Sequence, residues 1–269
     1  MMPHRRVRAK AGVSRGPCCA ESVQLVSSSM AGRSGSVEKA GIRQRIWDLL
    51  QREGIARFPY PPHGRIPNFA GARQACERLF EWAPLANARI IKVNPDAPQR
   101  LLRLMALRRG ITVLVPTPRL RAGFMRLDPR RIAPEDYAPA ASLGKMRRYA
   151  DAVALSDLPT PDCLVVGSVA VSPAGGRCGK GEGYADLEYG ILRSLGHPPI
   201  PVASVVHDEQ VISHVPRDAT DLPLEMIATP TRLLPVADPP AGPDGIDWEK
   251  LSQEDLVEMP VLAELRDRV

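Results

Sequence analysis

The sequence predicts an α/β protein with a mostly parallel sheet, and three observations carry that prediction. Arg89–Val93, Pro98–Arg109 and Ile111–Val115 read as strand, helix and strand. Such a βαβ unit implies parallel strands joined by a right-handed crossover. Asp162–Gly167 and Pro201–Val206 are short apolar runs of the kind that form strands covered on both faces. Between them Tyr184–Leu195 has helical spacing, with Leu187, Ile191, Leu192 and Leu195 inward and Gly196 as its stop.

At 269 residues and 44% hydrophobic content, the chain can bury one substantial core. The pattern divides it into a basic N-terminal extension (1–36), an α/β domain (37–236), and a linker with a C-terminal amphipathic tail (237–269). Residues 1–36 hold Arg5, Arg6, Arg8, Lys10, Arg15 and Arg33 against Glu21 alone. Poor in apolar periodicity, they are expected to be disordered. They could serve as an organelle transit peptide, as a plain extension, or as sequence ahead of a later start at Met30. A cytoplasmic protein is the default expectation, since no run approaches the roughly 20 apolar residues needed to cross a bilayer.

The net charge of +6 does not describe a nucleic-acid surface. The extension accounts for +5 of it, leaving +1 for residues 37–269, and aromatic residues are only 4%. The five cysteines (Cys18, Cys19, Cys76, Cys163 and Cys178) include no C-x-x-C pair. No structural bridge and no soft-ligand metal site are expected.

Along the domain, Val37–Glu53 has helical spacing through Ile42, Ile46, Leu49 and Leu50, with Gly54 as its stop. Lys39, Arg43 and Arg45 lie at its N-terminal side, where the helix dipole disfavours cations, which points to an anionic partner. After the proline-rich loop Phe58–Pro67, Asn68 is expected to cap a helix burying Phe69, Ala72, Cys76, Leu79 and Phe80. Prolines break up residues 116–160, which read as loops with one short helix near Ser142–Tyr149. Arg119 and Arg121 follow a strand's carboxyl end, a common ligand position in open sheets. Met226–Thr229 and Arg232–Val236 read as closing strands, and Asp247–Leu265 as a tail that packs back on the domain.

The chemistry is expected in Gly175–Asp186, where five glycines fall within nine residues between an apolar strand and a helix. Glycine lets several backbone N–H groups converge on one anion, and a helix N-terminus adds its dipole. The stretch matches neither G-x-x-x-x-G-K-[ST] nor G-x-G-x-x-G. Cys178 sits among these amides beside Lys180, a setting that lowers a thiol pKa, but no neighbouring histidine or aspartate makes it a nucleophile.

Gly175-x-Arg177-x-Gly179-x-Gly181-x-Gly183-Tyr184-x-Asp186 resembles the signature of the 5-formyltetrahydrofolate cyclo-ligase family. Val165–Ser172, Gly179–Tyr189, Val205–Val211 and Thr229–Arg232 look like its methenyltetrahydrofolate synthase domain-containing branch. The resemblance implies a three-layer α/β/α fold of the kind shared with sugar-phosphate isomerases and CoA transferases. It also implies ATP- and Mg²⁺-dependent phosphorylation of the formyl oxygen of 5-formyltetrahydrofolate, then ring closure to 5,10-methenyltetrahydrofolate. By resemblance, Lys39, Arg43, Arg177 and Lys180 supply catalytic positive charge, Gly179, Gly181, Gly183 and Tyr184 bind nucleotide or folate, and Asp186 holds the metal. Partners would then be ATP and a folate-type small molecule, with no nucleic acid or membrane. Two positions depart from the family's Lys-Gly-Tyr-Tyr-Asp: Glu182 and Ala185. They keep open a second reading, a non-catalytic nucleotide- or folate-binding regulatory module.

Overall fold

The computed structural model describes residues 21–268, with side chains from Ser36 onward. Residues 1–20, which belong to the expected disordered extension, lie outside the described residues. The helix read from Val37 begins earlier: α1 spans Glu21–Arg52, so residues 21–36, expected to be disordered, are helical and Lys39, Arg43 and Arg45 lie in the helix interior rather than at a dipole-exposed N-terminus. It is followed by β1 (Ala56–Arg57), β2 (Asn68–Phe69), α2 (Ala72–Leu79), α3 (Ala83–Ala86), β3 (Ile90–Val93), α4 (Arg100–Arg108) and β4 (Thr112–Pro116). Then come β5 (Phe124–Leu127), α5 (Tyr137–Ala140), α6 (Leu143–Met146), β6 (Asp151–Val153) and β7 (Cys163–Val166). The chain continues through β8 (Ala170–Val171), β9 (Arg177–Cys178), α7 (Tyr184–Ser194), β10 (Val202–Val205), β11 (Met226–Ala228), β12 (Leu233–Pro235), α8 (Gln253–Glu258) and α9 (Pro260–Arg266).

Eight strands form one sheet in the order β12-β11-β10-β7-β3-β4-β5-β6. The five from β11 to β4 are parallel, and β12 on one side and β5 followed by β6 on the other extend the sheet antiparallel. Successive side chains on a strand point to opposite faces, so the apolar runs split between two cores. Ile91, Val93, Val113, Val115, Cys163 and Val165 pack toward α2 and α4. Leu114, Leu164, Val166 and Val202 pack toward α7 and α9. The result is a three-layer α/β/α fold. Lys92 interrupts the second face: it is fully buried and pairs with Glu188 of α7 and Asn94, a polar knot between sheet and helix. Burial pushes the Glu188 carboxyl up and the Lys92 ammonium down, and each partner opposes the other's shift.

Three local expectations need correction. Asn68 does not cap the second helix; it pairs in β2 and donates to the Phe58 carbonyl, while Gly71 precedes α2 at φ 83°. The position tolerates only glycine because a Cβ there would meet Pro230 at 2.6 Å. Region 116–160, read as loops around one helix, contributes β5 and the edge strand β6, strands of three or four residues between prolines, too short to show a period. The glycine loop is itself partly paired, since β8 and β9 form an antiparallel ribbon that places Arg177 and Cys178 on a strand.

The tail lies against the α7 face, with Leu256, Met259, Val261, Leu262 and Leu265 buried in its core. Among the described residues, no helix is long and apolar enough to cross a membrane.

Candidate functional site

The parallel strands β3 and β7 end side by side, and beyond their carboxyl ends lie Asn94, Asp96 and Gly167. Loops at such an edge are free to surround a ligand. Two adjoining clefts open there. The first runs between α1, the glycine loop and the irregular segment before β11. The second extends toward Phe58, Arg65, Arg100 and Arg119. Both are lined by Asn94, Asp96, Lys180, Glu182 and Tyr184.

The glycine loop forms the floor of the first cleft. Gly181 and Gly183 hold φ values of 112° and 70°, conformations that L side chains rarely adopt, and Gly183 sits immediately before the first turn of α7. The loop therefore delivers backbone amides to a helix N-terminus, where the dipole favours an anion.

The four sequence-designated cations all line the first cleft, yet each already has a partner. Arg43 donates its Nε–H to the Gly179 carbonyl at 2.8 Å, and its guanidinium lies against Gly181. Arg177 folds back to donate to the Gly167 carbonyl at 3.1 and 3.3 Å and to the Asp186 carboxylate at 3.3 Å, tying the end of β7 to α7. Lys180 meets Glu182 at 2.6 Å, both partly exposed at the cleft. Lys39 meets Asp221 at 2.6 Å and Asp218 at 3.3 Å. Burial is deepest for Lys39 and Arg177, each about one-twelfth exposed.

Gly179, Gly181, Gly183 and Tyr184 all line the first cleft. Burial, then the nearby Glu182 carboxylate, raises the Tyr184 phenol above its ordinary range, so the ring enters any chemistry as a neutral hydrogen-bonding surface. Asp186 faces the cleft from the first turn of α7, but its Oδ1 accepts the Leu222 N–H at 3.0 Å. Ala185 is buried in the α7 core.

Cys178 is not activated. It is buried, its S–H donates to the Lys39 carbonyl at 3.5 Å, and burial raises its thiol against the pull of Arg43, Arg177 and Lys39. Arg119 lines the second cleft, whereas Arg121 stays exposed.

Asp96 is the site residue that the sequence reading missed. It lies in the wall shared by the two clefts, close to Gly167, where a Cβ would approach its Oδ2 to 3.0 Å. Burial raises its carboxyl, opposed in turn by Lys180, Arg103, Arg177 and Lys92. Its signal was available, an aspartate just past an apolar strand. The fully buried Arg103 shapes this turn by donating to the carbonyls of Asn94, Pro95 and Asp96. Asp218 and Asp221 had no signal, because only folding brings them to Lys39.

Among the described residues, no group of three His, Cys, Asp or Glu side chains could hold a metal by itself. Asp96 and Asp186 both line the first cleft, and a magnesium ion commonly takes one or two carboxylates and draws its other oxygens from phosphate and water. Of the two, Asp96 fits that role, since its carboxylate accepts no hydrogen bond from the described residues, whereas Asp186 already accepts from Arg177 and the Leu222 N–H.

The fold and cleft thus define an α/β protein whose glycine-loop site sits at the carboxyl edge of a parallel sheet. The chain belongs to the 5-formyltetrahydrofolate cyclo-ligase family, a family of folate enzymes, whose sequence model matches residues 35–230. It is 46% identical over 239 residues to the methenyltetrahydrofolate synthase domain-containing protein of Mus musculus, covering 86% of this chain and 64% of that protein. The Homo sapiens protein of the same description is 39% identical over 246 residues, covering 89% and 64%. The chain therefore spans somewhat under two thirds of the length of these relatives. The solved structure of Aquifex aeolicus 5,10-methenyltetrahydrofolate synthetase is 16% identical, covers 76% of this chain and 95% of that chain, and has a TM-score of 0.48.

Proposed function

We propose that the chain converts 5-formyltetrahydrofolate to 5,10-methenyltetrahydrofolate with ATP and Mg²⁺. The observation that carries this is the convergence of the glycine loop, the α7 N-terminus, Arg43, Arg177 and Lys180 on one cleft that opens directly into a second. Phosphoryl transfer asks chiefly for positioning and for neutralisation of spread negative charge, which backbone amides and fixed cations supply. In this reading the phosphates lie on the amides of Gly179–Gly183, with Lys180 beside them. Arg43 and Arg177 hold the loop in shape through the Gly179 and Gly167 carbonyls. Asp96 and Asp186 would hold the magnesium, which supplies charge neutralisation at the phosphates. The second cleft suits a folate: Phe58, Ile66 and Tyr184 offer surface for a flat ring, and Arg65, Arg100 and Arg119 suit an anionic tail.

The Lys180–Glu182 pair favours a second reading, a module that binds nucleotide or folate without turnover. A carboxylate 2.6 Å from the loop lysine removes much of the charge that lysine would offer a phosphate. Purified protein with ATP, Mg²⁺ and 5-formyltetrahydrofolate decides between the two. The first reading expects methenyltetrahydrofolate, followed by its absorbance, and thermal stabilisation by ATP. Stabilisation without product supports the second, and neither signal rejects both.

A further inference from the structure

Lys39 differs from the other cleft cations in being held by two carboxylates at once. Both come from the irregular segment between β10 and β11. That segment is tied together locally: the Asp221 carboxylate also accepts the Asp218 N–H at 2.9 Å, and the next residue, Leu222, donates its N–H to Asp186. One short strap therefore joins α1, through Lys39, to the first turn of α7, through Asp186. Lys39, Asp186, Asp218 and Asp221 all line the first cleft.

The charge balance at this strap is lopsided. Two carboxylates surround one ammonium, and the Lys39 and Asp221 side chains are only 9% and 14% exposed, so water and salt screen them poorly. One aspartate would complete a structural ion pair. The second leaves the strap negative at the edge of a loop otherwise shaped for an anion. An incoming anion gains nothing from Lys39 until it outcompetes both carboxylates.

We propose that Asp218 and Asp221 are specificity-determining residues of the glycine-loop site: by holding Lys39, they set the charge an anion must carry to occupy it. This rests on the phosphate-binding reading of the loop and adds the element that selects among phosphates. A single phosphate does not draw Lys39 from two carboxylates. A polyphosphate chain seated on the loop amides competes for the ammonium, and the strap then loses its tie to α1.

The test is calorimetric binding of inorganic tripolyphosphate to four forms of the full chain: unaltered, Asp218→Asn, Asp218→Asn with Asp221→Asn, and that double variant with Lys39→Met. Affinity should rise at Asp218→Asn and reach a gain of about tenfold or more in the double variant, a shift of about 1.4 kcal/mol. Adding Lys39→Met should abolish the gain. Hydrogen exchange in the unaltered protein should show the Asp218 and Leu222 amides losing protection when tripolyphosphate binds. Affinity unchanged or lowered in both asparagine variants, with the unaltered protein still binding, overturns the proposal and leaves the phosphate loop intact. Binding in none of the folded forms overturns both. Asp218 is the more exposed of the two carboxylates, so its single substitution decides the matter if the double variant fails to fold.

Discussion

Asp96 shows how one residue's position becomes a measurable property of the whole chain. Its carboxyl is pushed up by burial, with four neighbouring cations only partly opposing the shift. A carboxyl whose folded pKa exceeds its unfolded value costs the fold nothing below the unfolded value. The cost then grows as pH rises through the unfolded value and levels off above the folded one. Asp96→Asn should therefore match the unaltered protein in melting temperature at about pH 3, below the unfolded value, and gain on it toward pH 8. A difference that stays flat or shrinks across that range would refute the desolvated carboxylate. At the same scale, Glu182 was legible as a departure from its family's pattern, but its pairing with Lys180 belongs to the folded loop.

Among the elements, the glycine loop is where backbone conformation and binding are the same requirement. Gly181 at φ 112° lies outside the regions open to L residues, and a Cβ there would sit 3.4 Å from the Arg43 guanidinium carbon. Gly181→Ala should cost about 1–2 kcal/mol of stability from the strained backbone, read by denaturant unfolding. It should also weaken tripolyphosphate binding, because relaxing the strain turns the loop amides away from their common target. Unchanged stability together with unchanged binding would show that the loop is an ordinary turn. The helix carrying Lys39 and Arg43 was readable from its period. The family resemblance placed both cations at the phosphate site; that Arg43 seats on the Gly179 carbonyl and Lys39 on Asp221 was not legible, since each contact spans more than a hundred residues of chain.

For the whole molecule, the C-terminal tail behaves as part of the core. Leu262 and Leu265 of α9 are fully buried on the α7 side of the sheet, beyond the residues that match the family model. Leu262→Ala should lower the urea-derived stability by about 2–5 kcal/mol, the usual range for a large-to-small change in a packed core. A loss below about 1 kcal/mol would mean that the tail detaches without disturbing the domain.

The sequence by itself determined the α/β class, the order of the central strands and helices along the chain, and the glycine loop that lines the candidate cleft. Each rests on local information: a side-chain period, an apolar run, or glycines where the backbone must turn. The prolines of residues 116–160 hid β5 and β6, because strands that short have too few side chains to display alternation. Tertiary structure alone decided the electrostatics. Lys92 with Glu188, Lys39 with Asp218 and Asp221, and Asp96 between its four cations are charges whose meaning depends on distance in space. Coulomb energy and desolvation follow that distance and the surrounding burial, and neither can be read from separation along the chain.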